Sequence, residues 1–469
     1  MNDNRTRPRA AADAGAAGVL PVILGGDIGA YSLARAFNEA YGTRPLVLSQ
    51  SRTHLIGGSS ILENRVVERL ESEPVFLAAL AAVAEEHAPA PLMLLACGDW
   101  YVRLIAEHRD ELAASYAIPY VPLELLDRLT RKDRFLALCA EAGVPCPRTA
   151  VYDPADPAGL DGLPLTFPLV AKAASSADYH YAQFPGKRKV FFLDDRAALD
   201  KALGALRAGG YDGKVLLQEL IPGDDTQMRV LTTYSDRTGK VRMMALGQTL
   251  LEDKHPLAVG NPVAILGRVD EAVMADARRL LESVGYTGFA NFDVKVDPRD
   301  GSHRFLELNA RLGRSSHYVT AAGQNVARWL VEGMRDADAL PTGVTVAEPG
   351  ALFSVAPRDV VLGWVRDPKL RDEVRRAWAE GRACDPVDNP AERRLARRLC
   401  PLAQRMRARR AFRAARREQR AQLRAPGTRG LAAAALAGAP CDAAAPPRLP
   451  RTAGPSPAPG DAAAAAVRP

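Results

Sequence analysis

Asp293, Glu307 and Asn309 lie in the stretch YTGFANFDVKVDPRDGSHRFLELNARLGRSSHYVT, residues 286–320. Their side chains are hard oxygen donors, suited to magnesium (or manganese) carrying the phosphates of a nucleotide. Residues 291–296 alternate as a half-buried strand, Asp-Pro-Arg-Asp-Gly makes a turn, and residues 302–309 read as the returning strand. Period two puts Glu307 and Asn309 on one face, and strand pairing can bring Asp293 beside them. Arg311 and Arg314 follow directly and could neutralise charge on a transferring phosphoryl group. A surface hairpin with solvated charges is the plainer reading. The apolar neighbours Phe292, Val294, Phe305, Leu306 and Leu308 favour a site, because unpaired charge on an apolar strand is costly.

Other cations precede the hairpin. Lys172 sits in the apolar run FPLVAKAA, where an ammonium needs an anionic partner such as a phosphate. A loop with Gly186, Lys187, Arg188 and Lys189 could pair with a triphosphate through charge. Lys254 and His255 lie in a polar loop, residues 251–261, and are ordinary solvated side chains on the simpler reading.

These residues need elements to position them. Residues 19–24 read as a strand, followed by Gly25-Gly26-Asp27-Ile28-Gly29 and a helix through residue 40. Strands PLVLSQ and LMLLAC alternate with helices at residues 74–87 and 99–112, which predicts a small parallel α/β domain over residues 18–125. The glycine turn does not fit a dinucleotide fingerprint and reads as a tight turn with close strand–helix packing. Residues 129–143 form an amphipathic helix ended by Gly143; residues 215–225, VLLQELIPGDD, are a strand running into a turn. Strands at 229–234 and 242–250 and helices at 274–285 and 322–334 complete the body.

Composition bounds the class. Over 469 residues, 47% hydrophobic and 25% charged describe a soluble globular chain long enough for two or three domains. Residues 393–469 hold 17 arginines against three acids, a balance of +14; the chain's +7 leaves −7 for the rest. A mildly acidic body with a basic tail does not support nucleic-acid binding by the whole molecule. Six scattered cysteines without CxxC spacing, and no signal-peptide pattern, fit reduced thiols in the cytoplasm. No apolar run approaches the roughly 20 residues of a bilayer span. Leu395, Leu399, Leu402 and Met406 keep a helical seam among arginines, broken by Pro401: a solvated helix, or a contact for anionic lipid at the inner membrane face or for RNA. Residues 1–17 read as a disordered leader and 424–469 as a disordered Ala/Pro tail.

In order and spacing, Lys132, Lys172, the QELIPGDD turn, Asp293, Glu307, Asn309 and Arg311 resemble the ATP-grasp ligases over residues 18–335. KDRFLALCAEAGVP, IPGDD and FDVKVDPRDG…FLELNARLGRSS look like the carboxylate–amine ligase branch, which includes the D-aspartate ligases of peptidoglycan cross-bridge synthesis. The resemblance implies an α/β and α+β chain: a parallel α/β pre-ATP-grasp domain (18–125), a two-lobed ATP-grasp domain (126–340), a cap segment (341–390), a basic helix (391–423) and the tail. It implies ATP and magnesium as cofactors, with Asp293, Glu307 and Asn309 as metal ligands. Lys132, Lys172 and Lys189 would contact phosphates; Gln218, Glu219, Leu220 and Ile221 would line the adenine, and Asp225 the ribose. Arg311 would stabilise an acyl phosphate and Arg314 orient the donor carboxylate. The family's phosphate loop is commonly glycine-rich; the loop around Gly186 is not. The implied reaction joins an amino acid such as D-aspartate to a peptidoglycan precursor, which could be lipid-linked. A dipeptide or other small-amide ligase, or a non-catalytic ATP-binding module, stays open.

Overall fold

In the computed structural model the described residues are 15–424, apart from residues 176–178, 180–181, 255–257, 259 and 336–338. Most of the expected leader, the Ala/Pro tail and His255 lie outside them.

Short strands, apolar at the centre of the sheet and polar at the β3 edge, build the N-terminal sheet: β1 (Leu20–Leu24), β2 (Leu46–Ser49), β3 (Glu63–Val66), β4 (Leu92–Ala96) and β5 (Tyr116–Ala117). They pair in parallel in the order β3-β2-β1-β4-β5. Every residue of β1 and β4 is buried, because helices cover both faces of a parallel sheet. Leu20, Val22 and Leu24 pack toward Phe76, Leu80 and Tyr101, while Ile23 turns to Tyr31 and Phe37. The strand order reverses between β1 and β4. At such a switch point the loops at the strands' carboxyl ends part and leave a crevice.

The next lobe is an antiparallel sheet, β6 (Thr149–Tyr152), β7 (Leu169–Ala173), β8 (Phe191–Leu193) and β9 (Val215–Glu219), in the order β6-β9-β7-β8. Helix Arg196–Ala208 closes its core with Leu199 and Leu206.

The largest sheet holds β10 (Met228–Ser235), β11 (Val241–Glu252), β12 (Pro262–Arg268), β13 (Gly288–Val296) and β14 (His303–Asn309). β15 (Thr345–Val346), β16 (Leu352–Ser354) and β17 (Ala383–Cys384) extend it. One face, with Leu231, Phe292 and Phe305, shares a core with the N-terminal domain. The other, with Tyr234 and Phe289, meets helices Ile28–Tyr41 and Val326–Arg335. Residues 345–384 thus add strands to the main sheet as well as covering it.

The single helix expected over residues 129–143 is two, Leu123–Thr130 and Lys132–Glu141. Arg131 between them is extended (φ −75°, ψ 120°), and Lys132 opens the second helix with its N–H toward the Ala174 carbonyl. That break turns Lys132 inward.

Candidate active site

The hairpin forms in the expected register, with one device the periodicity did not reveal. Asn291 stands opposite Asn309, Phe292 opposite Leu308, and Asp293 opposite Glu307; the register then shifts, so that Val294 faces Phe305. The extra residue, Leu306, is a bulge. It lets Phe305 and Leu308, three apart, both enter the core while Glu307 and Asn309 keep the opposite face with Asp293.

Three lysines from three elements reach this face. Lys132 Nζ lies 3.7 Å from Glu307 Oε2 and Lys189 Nζ 3.8 Å from Glu307 Oε1. Lys172, on β7, donates to Gln218 Oε1 on β9 at 3.3 Å, and Gln218 is fixed in turn by Thr149. Of the basic loop, Lys189 turns toward the hairpin. Lys187 donates to the Ala182 carbonyl and lies over the Tyr179 ring.

The electrostatics are those of a site awaiting charge. Burial pushes the Lys172 ammonium down to about 8, although Glu307 opposes the shift. Burial would raise the Glu307 carboxyl, but Lys189, Lys132 and Lys172 override it and hold it well below the usual range. Burial, then the charge of Glu307, push Asp293 far up. Two adjacent buried carboxylates cannot both ionise cheaply without a cation between them. A hard divalent ion fits Asp293, Glu307 and Asn309 on these grounds. Among the described residues no three His, Cys, Asp or Glu side chains gather as a metal group, so an ion here would complete its shell with phosphate or water oxygens.

The strand-to-turn segment is also formed. Leu220 and Ile221 are buried, and Leu220 packs with Val170 and Val190 into a small apolar patch on the four-stranded sheet. The Glu219 carboxylate pairs with Arg148 at 3.2 Å, and its backbone N–H donates to the Arg148 carbonyl at 2.9 Å. Asp225 accepts the Glu252 N–H at 2.9 Å and the Lys254 ammonium at 2.5 Å. Lys295, whose Nζ donates to the Gly223 carbonyl, and Glu252 join this second charged cluster; burial and Asp225 push Glu252 up to about 6.

The two arginines leave the hairpin toward the N-terminal domain. Arg311 forms a two-pronged pair with Asp99, 2.7 Å from Nε to Oδ1 and 2.8 Å from Nη2 to Oδ2. Asp99 opens helix Asp99–Glu107 after β4. Burial would lower the Arg311 pKa, and Asp99 more than reverses it. Arg314 Nε lies 3.1 Å from Asp27 Oδ2, and Asp27 caps helix Ile28–Tyr41 after β1. The Gly25–Gly29 turn brings the two segments into contact: a Cβ on Gly29 would stand at an ordinary van der Waals distance, 3.5 Å, from the Arg314 Cα. Both arginines thus sit at the β1/β4 switch point. Asp27, Asp99, Asn291 and Lys295 escaped the sequence reading; no local pattern marks them.

Comparison with known proteins follows the same outline. Residues 259–330 match the model of the carbamoyl-phosphate synthase L chain, ATP binding domain. The D-aspartate ligase of Enterococcus faecium (strain Aus0004) is 36% identical over 369 residues, 76% of this chain and 87% of its own length. This chain belongs to the ATP-grasp ligases. Like other members it is an ADP-forming enzyme that makes carbon–nitrogen bonds, joining a carboxylate to an amine with ATP. Among solved structures, an L-amino acid ligase from Bacillus licheniformis superposes with a TM-score of 0.53 at 16% identity, over 71% of this chain and 78% of its own. The biotin carboxylase domain of the Hydrogenobacter thermophilus 2-oxoglutarate carboxylase, solved with MgADP, does so at 0.52 and 14%, over 67% and 70%. At those identities the shared feature is the fold. No helix among the described residues is long and apolar enough to cross a membrane.

Proposed function

We propose that this ATP-grasp ligase activates the carboxylate of D-aspartate and joins it to the lysine side-chain amine of a peptidoglycan precursor. The observation that carries the reading is the gathering of Lys132 and Lys189 on Glu307, opposite Asp293, with Arg311 close enough to feel the charge of Asp293. The 36% identity to the Enterococcus faecium D-aspartate ligase supports the choice of donor.

A carboxylate oxygen of the donor attacks the γ-phosphorus of ATP, the bond to the β-phosphate oxygen breaks, and ADP leaves. The acceptor nitrogen then attacks the acyl carbon, phosphate departs with the bonding pair, and the surplus proton passes to phosphate or water. Lys132, Lys172 and Lys189 hold the triphosphate, and Arg311 offsets charge on the acyl phosphate and its tetrahedral successor. Arg314 orients the donor carboxylate, while the apolar patch at Leu220 takes the adenine and Asp225 the ribose. Asp293, Glu307 and Asn309 would hold the divalent cation, which when bound neutralises phosphate charge. No nucleophilic side chain is required; positioning and charge stabilisation carry the rate.

The test is ADP release from MgATP with a panel of D- and L-amino acids, with and without a soluble precursor peptide, using Glu307→Gln as blank. Release that needs D-aspartate plus the precursor supports the reading. Release with amino acids alone points to a dipeptide ligase, and ATP binding without any release to a binding module.

A further inference from the structure

The C-terminal helices, Leu395–Arg398 and Cys400–Arg424, are held by one face only. Arg397 is buried against Glu392 at 3.3 Å, and Glu392 also accepts from Tyr31 and Ser59 of the N-terminal domain. Along the longer helix Arg405 pairs with Asp385 and Asp388, Arg409 with Asp359, and Phe412 is buried. Arg416 lies over the Trp364 ring, 5.4 Å from its centre. Positions 405, 409, 412 and 416 form one stripe at helical spacing, and that stripe faces the body.

The flank beside that stripe, roughly 80° round the helix, carries large apolar side chains in water. Leu395 is 71% exposed, Leu399 50%, Leu402 54% and Met406 54%. The other large exposed apolar residues of the described chain, such as Val66 and Phe192, are scattered over separate strands and loops. Exposed arginines border the seam: Arg394, Arg398, Arg407, Arg410, Arg413 and Arg417. Glu418 is the one exposed acid among the described side chains from Arg393 onward. Four contiguous apolar side chains within a basic rim are not a solvated surface by design of charge alone.

We propose that this face docks the enzyme on an anionic lipid bilayer, the leucines and Met406 entering the headgroup boundary and the arginines pairing with lipid phosphates. Complementary charge selects the occupant: an amphipathic helix with a basic polar face and no span-length apolar run lies in the interfacial plane. The acidic balance of residues 1–392 holds the catalytic body off the same surface. RNA would use the arginines but leave the apolar seam idle, and no aromatic side chain is exposed there for base stacking. The inference rests on the helix alone and stands whichever acceptor the active site uses.

Flotation of the full-length protein with vesicles of phosphatidylglycerol and phosphatidylcholine in equal parts, against phosphatidylcholine alone, tests it. Binding to the first and not the second is expected, weakening as salt rises. Leu402→Asp with Met406→Asp should abolish flotation. Arg407→Gln with Arg410→Gln should weaken it about 25-fold, at about fivefold per arginine. All four positions are outside the active site, so thermal midpoint and ADP release stay at wild-type values. Absence of flotation on anionic vesicles overturns the proposal. So does flotation that survives the double aspartate change, RNA binding that ignores it, or a concentration-dependent dimer that it dissolves.

Discussion

Replacing Asp99 by Asn isolates the contact that ties the hairpin to the N-terminal domain. The variant keeps the shape and removes the charge that grips Arg311 through two bonds of 2.7 and 2.8 Å. A charge-assisted pair is worth roughly 1.5–3 kcal/mol when buried. Asp99 is 64% exposed beside an Arg311 side chain only 15% exposed, so screening lowers the stability effect to about 1 kcal/mol or less. The effect on turnover should be larger, because an arginine stabilising an acyl phosphate must be aimed to a fraction of an ångström. A loss of about 2 kcal/mol in the transition state corresponds to about a thirtyfold fall in kcat. KM for ATP should move little, since the lysines gather on Glu307 and Gln218, and the Asp99 charge acts on Lys189 only after those of Glu307 and Asp293. ADP release at saturating substrates, alongside a thermal melt, measures both. Asp99→Glu should recover part of kcat. A variant with wild-type kcat, or one whose loss lies wholly in KM for ATP, would refute the positioning role.

Other changes probe other links. Lys172, at about 8 in the free protein, binds phosphate only as the ammonium. Its pKa is lowered, so affinity for ATP should be level below about pH 7 and fall by up to about tenfold per pH unit above 8; Lys172→Met should flatten that slope in a fluorescent-nucleotide titration. Glu392→Gln leaves Arg397 buried without its counter-charge and should cost about 3 kcal/mol in urea unfolding. The Glu392 carboxyl would be raised by burial, but bonds from Ser59 and Ser60 hold it below the ordinary value. Its contribution is therefore present above about pH 4.3 and is lost as the pH falls through the folded value, a loss the variant should not show. A Cβ on Gly313 would meet Asn291 Oδ1 at 2.8 Å, so Gly313→Ala should lower stability by about 1–3 kcal/mol and lower kcat by shifting the segment that bears Arg311 and Arg314.

What sequence could reveal was local. Period-two alternation and the Asp-Gly turn fixed the hairpin well enough to place Asp293 against Glu307, and the apolar run around Lys172 marked it as an ammonium in want of an anion. The bulge at Leu306 was hidden because it follows from where Phe305 and Leu308 find their core, not from the alternation itself. The break at Arg131 leaves no glycine or proline in the sequence; it appears when Lys132 reaches both the Ala174 carbonyl and Glu307. The strand β3, Glu-Asn-Arg-Val, has no apolar run and exists as an edge pairing with β2. Asp27 and Asp99 belong to the site through contacts 287 and 212 residues away in the chain, and helix-cap chemistry alone predicted neither. The seam of Leu395, Leu399, Leu402 and Met406 was legible as periodicity, but its exposure depended on the neighbouring stripe finding the body.

Activation of the donor carboxylate by phosphorylation leaves an isotopic trace in the phosphate that departs. Supplying D-aspartate labelled with oxygen-18 in its carboxylates, together with MgATP and the precursor peptide, tests it through the mass of the released phosphate. One labelled oxygen is expected in each phosphate released, and no labelled phosphate with Glu307→Gln. Phosphate released at the wild-type rate without label would contradict it.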